Sequence, residues 1–203
     1  MNILAHGYLS NRNDGLLIGN FIGDFIKGNP AHPRHGLTAD EVAGVHLHRA
    51  IDSFTDAHPD VAAVRELLYP RCHKYAGVAV DVFFDHFLAV NFRSLTGETL
   101  ADFTPFFYAS LQRLADRFPA PAVRMLDYMV RHDWIRSYQT IDGIDQSLTG
   151  ISRRTVFSSG LDTASIDLER YYNEIGDYFG RFWPELVDHV QQTRNRLQND
   201  LIE

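Results

Sequence analysis

Residues Gly77 to Val90 read GVAVDVFFDHFLAV. Wound at 3.6 residues per turn, this stretch is apolar around nearly its whole circumference, the pattern of a helix buried on most sides. Asp81 and Asp85 are four apart and share one face, and His86 follows directly. Two unpaired carboxylates in such a place are strongly unfavourable unless a proton, a basic partner or a cation neutralises them. A bound metal ion removes the conflict, and so does an Arg or Lys from a neighbouring helix. This segment alone does not choose between them.

Outward from that helix, strand signals are scarce and helical periodicity dominates. Leu16, Leu17, Phe21, Ile22 and Phe25 recur at helical spacing, and Gly28, Asn29 and Pro30 close the segment. Asn29 to Gly36, with two Pro, two His and one Arg, reads as a loop. Thr38 with Glu41 forms a capping-box pattern that opens a helix running to about Thr55. A short helix follows Pro59, the Gly77 helix extends to about Phe92, and further helical patterns span Leu100 to Phe118 and Ala122 to Trp134. Gln139 to Leu161 is less regular, broken by Gly143, Gly150, Ser152, Ser158, Ser159 and Gly160. In the last third, Ile166, Tyr171, Ile175, Tyr178, Phe179 and Phe182 make one broad apolar face, and Pro184 predicts a kink or restart. With no repeat or linker, residues 1–203 read as one all-α domain, a helical bundle.

Composition agrees. The chain has 203 residues, 45% hydrophobic and 22% charged, with 14 Phe, nine Tyr and two Trp to build a core. A net charge of −7 argues against nucleic acid as a partner. The single Cys72 rules out an internal disulfide and suits a reducing compartment. The most apolar stretch carries three ionisable side chains and is too short for a membrane span. A soluble, cytoplasmic protein is expected.

Three more segments place acid or imidazole where apolar residues are the norm. His48 and Asp52 are four apart on the capped helix, with His46 nearby. Asn20 and Asp24 repeat the spacing, and His6 lies in the apolar opening Ile3-Leu-Ala-His6. Singly, each is more often structural, but four such segments within the first 86 residues point to a metal site. Mixed imidazole and carboxylate donors suit Zn²⁺, Mn²⁺ or Fe, whereas all-oxygen sites suit Mg²⁺ or Ca²⁺. His32, His35, His58, His73, His132 and His189 read as solvated. The aromatic series Tyr171 to Trp183 reads as core packing, Gly176 and Gly180 as points of close helix approach, and Arg153-Arg154 as solvated surface.

The same residues carry a likeness. Met1-Asn-Ile-Leu-Ala-His6, Gly19-Asn-Phe-Ile-Gly-Asp24-Phe-Ile-Lys-Gly28, His46-Leu-His48-Arg49-Ala-Ile-Asp52 with Thr55-Asp56, Asp81-Val-Phe-Phe-Asp85-His86-Phe-Leu and Gly150-Ile-Ser-Arg153-Arg154 together resemble the acyl carrier protein phosphodiesterase family. That family is similar to a divergent branch of the HD-type metal phosphohydrolases, so the resemblance implies an HD-domain-like helical fold. It also implies a divalent metal, Mn²⁺ ahead of Mg²⁺ or Fe²⁺, and removal of 4′-phosphopantetheine from holo acyl carrier protein. Carried over position by position, His6, Asp24, His48, Asp85 and His86 become the expected metal ligands. Asp81, Asp52 and Arg49 become the expected catalytic groups, with Asp52 also a candidate ligand. Arg153 and Arg154, with Lys27 and Arg34, are expected to meet an acidic carrier protein. Two other readings stay open: a hydrolase of a small phosphorylated metabolite, and a non-enzymatic helical binding protein with a relict metal site.

Overall fold

A computed structural model describes residues 3–200, and all regular structure among them is helical. The helices are α1 (Ile3–Leu9), α2 (Asp14–Ile22), α3 (Ala39–Ala57), α4 (Pro59–Cys72), α5 (Ala76–Val90), α6 (Phe92–Thr96), α7 (Leu100–Arg113), α8 (Ala120–Arg131), α9 (Trp134–Ser137), α10 (Ile141–Ser152), α11 (Ser165–Arg170) and α12 (Tyr172–Asp200). No helix among the described residues is long and apolar enough to cross a membrane.

The stretch Gly77–Val90 forms most of α5, the central element. Val80, Val82, Phe83, Phe84 and Leu88 are wholly buried, and α1, α4, α10 and α12 pack around the helix. Burial of several large side chains, each worth about 1.5–3 kcal/mol, holds it there. The capping box at α3 forms as expected: the Thr38 side chain accepts from the Glu41 N–H at 3.3 Å, and the Thr38 N–H donates to Glu41 at 2.8 Å. Glu41 does more than cap. It is buried and pairs with Arg117 at 2.8 Å, tying α3 to the turn after α7.

The close pairing of α2 with α3 sets up the site. A Cβ on Gly19 would sit 2.0 Å from the Glu41 carbonyl oxygen, and one on Gly44 would sit 2.5 Å from that of Leu16. Only glycine at both positions lets the two backbones meet. The chain then leaves α2 through a 3-10 turn, Gly23–Phe25, directly over α3.

Five expectations are corrected. The segment taken as irregular contains α10, capped by Thr140 accepting from the Gly143 N–H at 3.1 Å. The helix after Pro59 is not short but runs to Cys72. Pro184 causes no restart, because α12 continues through it to Asp200. His58 is not solvated: it is buried at the α3–α4 junction, accepts from the Asp60 N–H at Nδ1 and meets Glu185 at 3.2 Å through Nε2. Of the two glycines expected at close approaches, Gly176 lies against the Phe87 ring, whereas Gly180 has open space beside it.

Candidate active site

The first turn of α1 delivers His6, α3 delivers His48 and Asp52 one turn apart, and the 3-10 turn after α2 delivers Asp24. His6 Nε2 lies 3.1 Å from Asp52 Oδ1, and His48 Nε2 lies 3.1 Å from Asp52 Oδ2 and 3.4 Å from Asp24 Oδ1. The two imidazole rings are 4.6 Å apart, centre to centre.

Asn20 settles how the His6 ring is used. Its amide nitrogen is engaged by the His6 carbonyl at 2.8 Å and by Ser10 Oγ at 3.1 Å, so its oxygen is what faces the ring. His6 Nδ1 therefore donates to Asn20 Oδ1 at 2.6 Å. In the neutral ring this leaves Nε2 as a bare lone pair aimed at an Asp52 oxygen, two acceptors face to face. Only a proton or a cation between them resolves the contact. Donor atoms of His6, His48 and Asp52 all lie within 4.8 Å of one another, and the 3.1 Å from each Nε2 to Asp52 is a spacing that donors about 2.0–2.2 Å from one shared ion can adopt. The three residues thus fit a divalent metal ion, with Asn20 fixing the tautomer as the partners of ligating histidines do.

Electrostatics point the same way. Burial disfavours a charged His48, but the hydrogen bonds it donates to Asp24 and Asp52 outweigh it and push its pKa up to about 9. For Asp52, burial raises the pKa, yet the bond from His48, and that from His6 when its Nε2 carries a proton, overcome it and hold the carboxyl far below the usual range. The His48 hydrogen bond likewise lowers Asp24, whose side chain is otherwise exposed. Without metal, the carboxylates hold a proton on His48 at neutral pH. That proton occupies the place of a cation.

The cluster opens into a cavity of about 370 Å³ that is also lined by Thr55, Asp56, Asp81 and Arg154. Burial raises the pKa of Asp81, making it a better proton acceptor than an ordinary carboxylate. Thr55 Oγ1 is buried on this wall without a hydrogen-bond partner, and so is His48 Nδ1. Arg154 contributes a cation at the C-terminal end of α10, its Nε donating to the Gly150 carbonyl at 3.2 Å.

His6, Asp24, His48 and Asp52 are therefore brought together, with Asp81 and Arg154 on the same cavity. Asp52, expected as a catalytic group and candidate ligand, is one of the three residues whose donor atoms cluster. Asp85 and His86 do not join the cluster. Asp85 is fully buried and accepts from the N–H groups of Leu4 at 2.8 Å and Ala5 at 3.3 Å, satisfying the start of α1. His86 turns the other way, bonding the Tyr138 carbonyl at 2.8 Å and the Tyr172 hydroxyl at 3.0 Å. Arg49 is also redirected: its guanidinium donates to the Ile26 and Gly28 carbonyls, each at 2.9 Å, and pins the chain beyond Asp24. Arg34 holds the Lys27 carbonyl at 2.8 Å, and the side chains of Lys27 and Arg34 are both exposed. Arg153 is exposed on a neighbouring cavity instead of this one. Asn20 and Thr55 had no role assigned from sequence. The only signal for Asn20 was its place four residues before Asp24 in an apolar helix.

Asp85 thus braces α1, the helix that carries His6. Asp85→Ala is expected to destabilise the metal-free protein by about 2–4 kcal/mol, because two buried N–H groups lose a charged acceptor. Urea unfolding measures this. Unchanged stability with loss of bound metal would instead return Asp85 to the ligand set.

Comparison with known proteins adds an independent line. A family model described as acyl carrier protein phosphodiesterase matches residues 1–186. Among curated proteins, the chain is 31% identical over 198 residues to an acyl carrier protein phosphodiesterase of Salmonella paratyphi A (strain ATCC 9150 / SARB42), covering 97% of this chain and 100% of the relative. It is 30% identical over 198 residues to one from Enterobacter sp. (strain 638), covering 97% and 100%. A third, from Escherichia coli O45:K1 (strain S88 / ExPEC), is 29% identical over 193 residues, covering 95% and 98%. No solved structure matches.

Proposed function

This chain belongs to the acyl carrier protein phosphodiesterase family, and we propose that it is a metal-dependent hydrolase releasing 4′-phosphopantetheine from holo acyl carrier protein in the cytoplasm. One observation carries the reading: His6, His48 and Asp52 converge beside Asp81 and Arg154 on a single cavity. A phosphodiester needs charge cover on its oxygens, a nucleophile at neutral pH and a proton for its leaving group, and that cavity holds a group for each.

His6, His48 and Asp52 would hold the ion, with Asp24 as a fourth donor. Their mixed nitrogen and oxygen chemistry suits Mn²⁺, with Mg²⁺ or Fe²⁺ as substitutes. A divalent ion held there would supply positive charge to the phosphoryl oxygens and acidify water. Arg154, on the same cavity, binds a non-bridging phosphate oxygen. Asp81 takes the proton from the attacking water and returns it to the carrier's serine oxygen. The bond from phosphorus to that serine oxygen breaks as the water oxygen joins phosphorus, leaving apo carrier and 4′-phosphopantetheine. Thr55 offers a hydroxyl to orient the water. The mixed His/Asp cluster on helices is in keeping with an HD-type ancestry.

The chain and a carrier protein are both acidic, so attraction must be local. Arg154 lines this cavity and the neighbouring one, Arg153 lines the neighbouring one alone, and Val156 and Phe157 follow them in the chain as exposed apolar side chains, with Lys74 over the Phe157 ring at 3.9 Å. Basic and apolar groups side by side suit an acidic helical partner. Lys27 adds positive charge on the Asp24 side.

Mass measurement tests the reading. Holo carrier protein incubated with Mn²⁺-loaded protein is expected to lose the phosphopantetheinyl group, and chelation should stop the loss. An unchanged carrier mass, with a chromogenic phosphodiester still cleaved, would reassign the site to a small phosphorylated substrate.

A further inference from the structure

A second cavity of about 580 Å³ adjoins the first and shares Phe25, Met125, Trp134 and Arg154 with it. We infer that this second cavity seats the pantetheine arm of the substrate, so that Arg154 holds the phosphate at the junction while the arm runs over Trp134 towards Gln146 and Gly150. The inference rests on the proposed function and adds a subsite that the metal cluster alone does not define.

Three observations carry it. The first is continuity. Arg154 lines both cavities, so a phosphate bound to it has the metal cluster on one side and the second cavity on the other. The second is chemistry. A pantetheine arm is a flexible chain with a branched apolar segment near the phosphate, two amides and a terminal thiol. The cavity offers apolar faces from Met125, Trp134 and Tyr128, and polar groups on one wall from Gln146 and Ser147 of α10. Trp134 Nε1 donates to Ser147 Oγ at 2.9 Å, which locks the indole plane as a fixed face. The volume lies within the range of about 300–1,000 Å³ usual for small-molecule sites.

The third observation is the gap at Gly150. This residue lies on the α10 wall, has ordinary helical geometry, and a Cβ placed there would meet nothing within 4 Å. Glycine within a helix costs about 0.5–1 kcal/mol relative to alanine, and no close backbone contact explains it here. Its effect is to keep the groove open beside Arg154. Gly143, seven residues earlier on the same helix, contrasts with it: a Cβ there would lie 2.0 Å from the Ser137 carbonyl oxygen.

Calorimetric titration of the Mn²⁺-loaded protein with 4′-phosphopantetheine and with inorganic phosphate tests the inference. The parent is expected to bind 4′-phosphopantetheine at least about tenfold more tightly than phosphate, since the arm adds contact that phosphate lacks. Gly150→Trp should shrink that ratio about tenfold by filling the groove, with Gly150→Leu as a smaller variant whose fold is easier to retain. Gly150→Ala should keep most of it. Equal affinity for both probes in the parent, or a ratio untouched by Gly150→Trp and Gly150→Leu, would overturn the subsite. Such a ratio together with a raised KM for holo carrier would instead mean that the carrier's own surface covers this cavity. Binding is read without turnover, so a Gly150-sensitive ratio in a protein that leaves holo carrier intact would overturn the hydrolase reading and keep the groove.

Discussion

Asp52→Ala is expected to abolish metal binding at the cluster and to lower phosphodiester turnover on the order of a thousandfold, about 4 kcal/mol of transition-state stabilisation. Asp52 faces both imidazoles, at 3.1 Å from each Nε2, so its loss removes one donor and the group that orients the other two. Metal content by elemental analysis and steady-state kinetics read the two effects. A variant that keeps both its metal and its activity would break the assignment.

The same residue sets the pH response of the metal-free protein. His48 is raised from 6.5 to about 9, so its pairing contributes stability that is fully present below about pH 6.5 and is lost as pH rises through about 9. Asp52 is depressed, so its contribution is present above the ordinary carboxylate range and lost as pH falls below it. Metal-free protein should therefore be most stable in mildly acidic solution and weaken as pH rises from about 6.5 towards 9. Added metal should reverse that trend, because the ion must displace the His48 proton and binds better as that proton leaves. In Asp52→Ala, the alkaline loss should begin at lower pH, because one of the two carboxylates holding the proton is gone.

What could be read from sequence, and what could not, follows from the kind of signal involved. A helix apolar on nearly all sides has one destination, the core, and α5 goes there. The capping box and the spacing of His48 and Asp52 are local, so neighbouring residues in the chain already hold the answer. Asp85 is different. A buried carboxylate can be satisfied by a cation or by backbone N–H groups, and the choice here depends on α1 beginning 80 residues away. The contacts of Arg49 were out of reach for a similar reason, since its carbonyl partners are non-helical groups 21 and 23 residues before it. For α10, the glycines that blur its periodicity answer to neighbours in space: the backbone of Ser137 at Gly143, and an open groove at Gly150.

The adjacent arginines should separate cleanly, although the sequence treats them as a pair. Arg154 lines the metal-cluster cavity as well as the outer one, whereas Arg153 lines only the outer one. Arg154→Ala is expected to lower kcat/KM about a hundredfold on holo carrier protein and on a small chromogenic phosphodiester alike. Removing one charged donor from developing phosphoryl charge has a cost of that order. Thermal melting should change little, because the side chain is exposed and, among the described residues, holds only the Gly150 carbonyl at the end of α10. Arg153→Glu should act on the carrier alone, raising KM about tenfold with the small substrate spared. That loss should shrink as salt rises, since exposed charges are screened beyond about 10 Å at 0.1 M. Equal losses for both variants on both substrates would place Arg153 at the phosphate too. A fully active Arg154→Ala would leave the phosphoryl charge to the metal and remove the link between the two cavities.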